Sequence, residues 1–420
     1  MKKEYSISLY LDTRRKLSNK KFPVKLRVYT PTPRRQKLYP TKFEMTEKEF
    51  QSTYKTGKPR NEHKETRREM QAVELEAVEI AKEIKPFNFD EFDRKMTRKP
   101  GDGIKVSYQY QQMINELTKN KQFGTASSYD LSQKSIETFI KHKGKKISNL
   151  TFYDITPEWL QEYETYMTEI KKRSLTTVGI YLRVLRASFN KAIDEKEIDR
   201  DFYPFGKRKY KIPATKNVKK ALNQSQLSIL FHAIPKTREQ EKAKDFFFFS
   251  YACNGMNIKD ILLLRFKDIQ DDKIEFVRAK TKHTTKTHSK AITVYLNDFT
   301  KEMINKYGNP DKTSNNRVFD IIPANTPPER QQALIKNFTR FVNQHIKKLC
   351  KANDLPEETS TYWARHSFAT NAIRNGASME FIQESLGHEN MKTTQNYFAG
   401  FDNEAKKEFA NKIMDFDKID

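Results

Sequence analysis

The chain reads as a multidomain α+β protein. It combines a small N-terminal β-sheet plus helix, an all-helical second unit, and a mainly helical third unit with a small β-sheet of its own. Three observations predict this. The 420 residues exceed the roughly 250–300 that a single core accommodates. Period-two alternation is confined to the first 45 residues and to a stretch around 274–296, while helical spacing dominates elsewhere. A strongly basic run at 202–221, with Pro204, Gly206 and Pro213, interrupts the helical pattern.

The first unit, residues 1–95, opens with Ile7, Leu9 and Leu11 and then Val24, Leu26 and Val28 alternating with polar neighbours, the pattern of half-buried strands. Arg14, Arg15, Lys16, Lys20, Lys21, Arg34, Arg35 and Lys37 sit between and beside these strands, which predicts basic loops. Glu62 to Ile84 reads as one long charged helix with a sparse apolar stripe of Met70, Val73, Val78 and Ile84. The second unit, 104–201, places Tyr129, Ile136, Phe139 and Ile140 on one helix face. Thr156-Pro157 starts another helix that carries Trp159, Leu160, Tyr163 and Met167. A third face holds Val178, Leu182, Leu185 and Phe189, with Arg183 and Arg186 opposite.

Residues 202–221 repel themselves into an extended basic linker. Asn223 followed three residues later by Gln226 marks a capped helix, flanked by Leu222 and Leu227 as a hydrophobic staple, and opens the third unit, 222–420. Within it, Ile274–Val277 and Ala291–Leu296 predict a β-hairpin joined by the basic run from Lys280 to Lys290. Arg278 and Lys280 share a face if the strand continues through them. Trp363, Phe368, Ala372 and Ile373 embed a helix ending near Asn375-Gly376, and Ser378 caps another that closes at Leu386-Gly387. Arg365 and His388 are expected at helix edges, and Tyr397 on the next short turn. Asn403 to Met414 is amphipathic, with Ala405, Phe409, Ile413 and Met414 on one side.

Charge narrows the partners. There are 79 Lys+Arg against 54 Asp+Glu, a formal net charge of +25, and a field of that sign spread along the whole chain matches nucleic acid. Two cysteines, Cys253 and Cys350, are too few for a disulfide framework or a four-cysteine zinc site and point to a reducing compartment. The most apolar stretch, Phe246–Cys253, is shorter than the ~20 residues a membrane-spanning helix needs, and Met1-Lys2-Lys3-Glu4 opens no signal-peptide core. The expectation is a bacterial cytoplasmic protein with no membrane partner.

The chemistry concentrates near the end. Arg365 in Ala-Arg-His-Ser-Phe-Ala-Thr, His388 in Leu-Gly-His 23 residues later, and Tyr397 nine residues beyond form a set able to hold and attack a phosphodiester. A guanidinium grips phosphate oxygens bidentately and an ammonium offers a mobile proton, so Arg278 and Lys280 suit the same task.

With these residues the chain resembles the tyrosine recombinases, or phage integrases. Arg365 matches the family's second arginine, His388 its third-box histidine, Tyr397 its nucleophile, and Lys280 its hairpin lysine. The helical unit looks like the family's core-binding domain, the N-terminal sheet like an arm-type DNA-binding domain, and 222–420 like the catalytic domain. Two positions depart from the pattern. Asn257 stands where the first catalytic arginine belongs, as in some recombinases of Bacteroides-type mobile elements, and Tyr362 stands where a histidine usually precedes the second arginine. Arg278 is the favoured substitute for the missing arginine, ahead of Arg265, and Tyr362 can still donate a hydrogen bond. The resemblance implies cutting and rejoining of double-stranded DNA through a 3′-phosphotyrosyl intermediate, with no metal and no cofactor. It also implies a homo-tetramer on paired DNA sites, with DNA-bending accessory proteins as possible partners, and integration or excision of a mobile element. Two other functions share these residues: a type IB-like topoisomerase, and a catalytically silent DNA-binding protein suggested by Asn257 and Tyr362.

Overall fold

A computed structural model of the chain describes residues 4–96, 98, 101–214, 220–279, 291–401 and 403–413. It divides into two compact units: Met1–Gln109 with Ser148–Asp154 and Lys191–Phe202, and Tyr110–Ile147 with Ile155–Asn190 and Tyr203–Asp420.

In the first unit, β1 (Ser6–Leu11), β2 (Phe22–Pro31) and β3 (Arg34–Met45) form an antiparallel meander in which Leu9 pairs with Leu26 and Val28 with Lys37. Alternation puts Leu9, Val24, Leu26 and Val28 on the buried face. The helix Asn61–Glu83 covers that face. Its buried positions are Met70, Ala77 and Ala81, followed by Ile84, so small alanines bring the backbone close to the sheet while Val78 stays half-buried. Arg14, Arg15, Lys16 and Lys20 are exposed in the β1–β2 loop, and Arg34 and Arg35, which open β3, are exposed as well. Gln109 Nε2 donates to Glu195 at 3.2 Å, Arg94 bonds the same carboxylate at 3.2 Å, and Arg98 pairs with Glu197. The ends of the predicted helical module thus pack with the N-terminal residues.

The second unit holds the remaining helices. Thr156 Oγ1 accepts from Trp159 N–H, with Pro157 in the first turn, so the predicted start at Thr156-Pro157 forms. Phe139 packs edge-on against Trp159 with ring centroids 5.2 Å apart, and Leu160, Tyr163, Val178, Leu182, Leu185 and Phe189 complete the core around them. The stretch from 202 is not extended throughout. Phe205 and Tyr210 are buried, Phe205 lies 5.8 Å from the Phe189 ring, and the Tyr210 hydroxyl bonds Glu164. Two aromatic residues override the self-repulsion of the lysines there; residues 215–219 lie outside the described part.

The same unit contains the helix Arg238–Ala252, capped by Thr237, whose four consecutive phenylalanines 246–249 are all buried. Apolar residues on every side require burial on every side, which makes this helix the axis of the core. The capping box of Asn223 and Gln226 starts the helix Gln224–His232 as predicted. The small sheet is β4 (Ile269–Gln270), β5 (Lys273–Phe276) and β6 (Ile292–Tyr295), antiparallel, with Ile274 opposite Val294. The hairpin is therefore present with a short extra strand. Its basic turn, 280–290, with Lys280, lies outside the described residues. No helix among the described residues is long and apolar enough to cross a membrane.

Candidate active site

Three segments converge on one pocket of positive charge. The first is the helix Thr361–Arg374, anchored where Thr361 N–H donates to Asn343 Oδ1 at 2.8 Å and where Trp363 and Ala364 enter the core. Ser367 Oγ accepts from Leu222 N–H at 2.9 Å, and Asn371 Nδ2 donates to Leu222 O at 3.1 Å, which ties this helix to the start of the third predicted domain. Arg365 lies inside this helix and is 3% exposed. The expected edge position is thus corrected to a buried one, because carbonyl oxygens compensate for the lost water. Arg365 Nη1 donates to Gly255 O at 2.9 Å and Nη2 to Leu386 O at 2.7 Å. Its Nε is buried with no hydrogen-bond partner among the described residues.

The second segment follows β5. The strand ends at Phe276, so Arg278 lies beyond the ladder, and the same-face argument for Arg278 and Lys280 does not apply. Beyond the strand, Ala279 N–H donates to the buried carboxylate of Asp260 at 2.9 Å. Arg278, 8% exposed, nonetheless turns into the pocket: its Nη1 donates to the same Leu386 oxygen at 3.2 Å. Burial first, and then the neighbouring Arg278 charge, bring Arg365 down to about 10, so it still carries its proton at neutral pH. Arg265 is placed elsewhere, bridged to Arg317 in a groove of about 670 Å³. Asn257 stands at the N-terminus of the helix Ile258–Leu263 and makes no side-chain cap bond.

The third segment runs from the helix Met379–Leu386 to Tyr397. Ser378 Oγ caps it, and Gly387, at φ +61°, ends it in the left-handed conformation. His388 follows directly. Arg365 Nη2 lies 3.2 Å from His388 Nε2, and a guanidinium can only donate, so Nε2 accepts. The ring proton then sits on Nδ1 and is donated to Thr394 Oγ1 at 3.0 Å. After the short helix Met391–Gln395, the Tyr397 ring stacks on His366 with centroids 4.6 Å apart, lies 5.0 Å from the His388 ring, and has the Arg365 guanidinium 5.3 Å from its centre. Its hydroxyl is 2.6 Å from that of Tyr362. Arg365, Arg278, His388, Tyr362 and Tyr397 are therefore brought together.

Three contributors escape the motif reading: His366, Thr370 and Arg374. Tyr362, His366, Thr370 and Arg374 recur every fourth residue and form a polar stripe down one side of the helix. His366 Nδ1 and Thr370 Oγ1 both bond Tyr397 O, at 3.2 and 3.3 Å. Thr370 Oγ1 also accepts from Ala399 N–H at 3.1 Å, and Arg374 Nη2 donates to Gly400 O at 2.8 Å. Burial holds His366 below the usual imidazole range, in keeping with a neutral ring donating to a carbonyl. The spacing itself was the available signal.

Two glycines admit the arginines. A Cβ on Gly387 would lie 3.1 Å from Arg278 Cδ and 2.4 Å from Ile292 Cδ1. Gly255 has φ +68°, and its Cβ would meet Arg365 Cα at 2.8 Å, a backbone atom that cannot swing aside. Gly255→Ala should lower unfolding stability by about 1–3 kcal/mol in denaturant titrations. An unchanged midpoint would mean that this loop yields to the methyl group.

The comparisons agree with this architecture. Residues 106–212 match the phage integrase SAM-like domain and 220–404 the phage integrase family. Tyrosine recombinase XerC of Listeria welshimeri is 22% identical over 310 residues, 68% of this chain and 91% of its own length. A tyrosine recombinase of Thermosipho africanus is 24% identical over 277 residues, covering 65% and 88%. Among solved structures, the Tn1549 transposon integrase in complex with a circular intermediate DNA superposes with a TM-score of 0.52 at 18% identity, covering 74% of this chain and 99% of that one. Family matches over the helical module and the basic pocket alike, together with full-length relatives of one kind, lead to one conclusion: the chain belongs to the tyrosine recombinase, or phage integrase, family of DNA breaking-rejoining enzymes.

Proposed function

We propose that this protein is an integrase of a mobile element, cutting and rejoining double-stranded DNA at specific sites through a 3′-phosphotyrosyl intermediate. The observation that carries this reading is the meeting of Tyr397 with two buried guanidiniums, Arg365 and Arg278, that share the Leu386 carbonyl. Tyr397 Oη attacks phosphorus and the bond to the 5′ oxygen breaks. Arg365 and Arg278 take the negative charge that develops on the nonbridging oxygens, with the Arg365 Nε free to turn to them. His388, released from Arg365 as the phosphate arrives, hydrogen-bonds the phosphate or orients the nucleophile. Lys280, outside the described residues, protonates the departing 5′ oxygen. Because the phosphotyrosine conserves the energy of the broken bond, a 5′-hydroxyl from a second duplex reverses the step without ATP.

The Tn1549 integrase of like fold binds a circular transposon intermediate, which supports the assignment to a mobile element. The absence of an arginine at Asn257 links this chain to elements of the Bacteroides type. Strand exchange needs one protein at each cleavage point, hence a homo-tetramer on paired sites in the bacterial cytoplasm, assisted by DNA-bending proteins. The exposed Phe409 and Ile413 of the helix Asn403–Ile413 suit contact with a neighbouring protomer. In this reading residues 1–95 bind arm-type DNA, 104–201 the core site, 202–221 link, and 222–420 catalyse.

The test is covalent trapping on a nicked suicide duplex carrying the element's end, followed by mapping of the attached nucleotide and of any new junction. Attachment through a 3′ phosphate with junctions between two sites is expected. Relaxation without junctions would instead indicate a topoisomerase, and DNA binding without attachment a silent binder. Affinity for DNA should fall at least ~10³-fold between about 50 and 200 mM salt as phosphate contacts release counterions. A flat response measured by titration would contradict a backbone-tracking surface.

A further inference from the structure

We propose that Tyr362 serves the nucleophile and not the phosphate: its hydroxyl donates a hydrogen bond to the Tyr397 hydroxyl oxygen and stabilises that oxygen as it becomes anionic. The inference rests on the reading of Tyr397 as nucleophile. The two hydroxyls are 2.6 Å apart, and one imidazole positions both rings, since His366 stacks on Tyr397 at 4.6 Å and meets Tyr362 edge-on at 4.8 Å. Tyr362 projects from the first turn of the helix Thr361–Arg374, one turn before His366, so its hydroxyl is delivered by a rigid element.

Two identical phenols in contact need something to decide which one keeps its proton. Here the surroundings differ. The Arg365 guanidinium stands over the Tyr397 ring, and although Arg365 and Arg278 also pull on Tyr362, its partial burial and then the bond to Tyr397 outweigh them and push Tyr362 up from the usual phenol range. Tyr362 therefore keeps its proton and remains the O–H donor to the Tyr397 hydroxyl. The resulting phenol–phenolate bond is charge-assisted and stronger than a neutral one.

A phenol cannot carry a proton away as an imidazole can, so the Tyr397 proton passes to a solvent base. The pair is open enough for this, Tyr362 being 44% exposed. As that proton leaves, the Tyr397 Oη–phosphorus bond forms, the bond from phosphorus to the 5′ oxygen breaks, and the 5′ oxygen takes a proton from Lys280. In rejoining, Tyr397 is the leaving group and the same bond stabilises it. Tyr362 thus speeds both directions and leaves the cleavage equilibrium where it was.

The experiment is single-turnover cleavage of the nicked duplex by the full chain across a pH series. Tyr362→Phe should cut at least ~10-fold more slowly at neutral pH, with its ascending limb displaced to higher pH and the deficit closing at the alkaline end. Tyr362→His, which keeps a donor, should recover most of the rate. A substrate with sulfur as the 5′ bridging atom, whose thiolate departs without a proton, should leave the Tyr362→Phe deficit in place. Rescue by that sulfur would assign Tyr362 to the leaving group, an equal loss at every pH would make it structural, and an unchanged rate would remove it; each overturns the inference. An adduct formed by Tyr397→Phe defeats the nucleophile reading instead, whereas an inactive Tyr397→Phe beside a fully active Tyr362→Phe defeats this inference alone.

Discussion

Tyr397→Phe is expected to bind DNA as tightly as the parent and to form no covalent adduct, a loss of at least ~10⁴-fold in cleavage. The substitution deletes one oxygen, which lies 2.6 Å from Tyr362 Oη and also interacts with the Arg365 guanidinium. The ring contacts to His366, His388 and Arg365, and the bonds from His366 and Thr370 to the Tyr397 carbonyl, do not involve it. Stability should fall by no more than about 1 kcal/mol, the worth of one partly exposed hydrogen bond. Denaturing gels of trapped complexes measure the loss, and filter binding on the same duplex measures what is kept. Tyr362 gives the experiment a second edge. An adduct that persists in Tyr397→Phe and vanishes in the double variant would move the nucleophile to that neighbouring phenol.

Arg278→Ala should slow cleavage by about 10²–10³-fold, the effect of removing one preorganised electrostatic group from a transition state. Arg278 and Arg365 donate to one carbonyl, so the substitution removes one of two charges aimed at the phosphate without leaving the Leu386 oxygen unpaired. Binding should change little, because Arg278 is 8% exposed while many surface cations hold the duplex. Arg265→Ala is the control. It lies beside Arg317, and its rate should stay near that of the parent. The reverse outcome in single-turnover assays would transfer the role of the absent arginine from Arg278 to Arg265.

What the sequence disclosed follows the range of the forces involved. Alternation in β1 and β2, the capping box at Asn223 and Gln226, and the left-handed stop at Gly387 are set by neighbours within a few residues, and each was legible. The apolar stripe of Trp363, Phe368, Ala372 and Ile373 and the cap signals at the helix ends predict Arg365 at a helix edge. Its burial depends on Gly255 and Leu386, 110 and 21 residues away in sequence, and no local pattern encodes such partners. The face shared by Arg278 and Lys280 rests on a strand that continues through them, and the strand ends at Phe276, two residues before Arg278, while Lys280 lies outside the described residues. The stripe of Tyr362, His366, Thr370 and Arg374 lay in plain view at helical spacing. Its partner, the strap 397–400, has no periodicity to match.

The choice of Leu386 oxygen as the meeting point of two cations bears on how the enzyme waits for its substrate. A carboxylate there would hold the guanidiniums more firmly, but as a full anion it would compete with the incoming DNA phosphate and would have to be displaced at each turnover. A peptide oxygen at the end of a helix brings only a fractional negative charge. It fixes direction while leaving the positive charge of both side chains almost whole, which is what the proposed role of Arg278 and Arg365 at a phosphodiester requires.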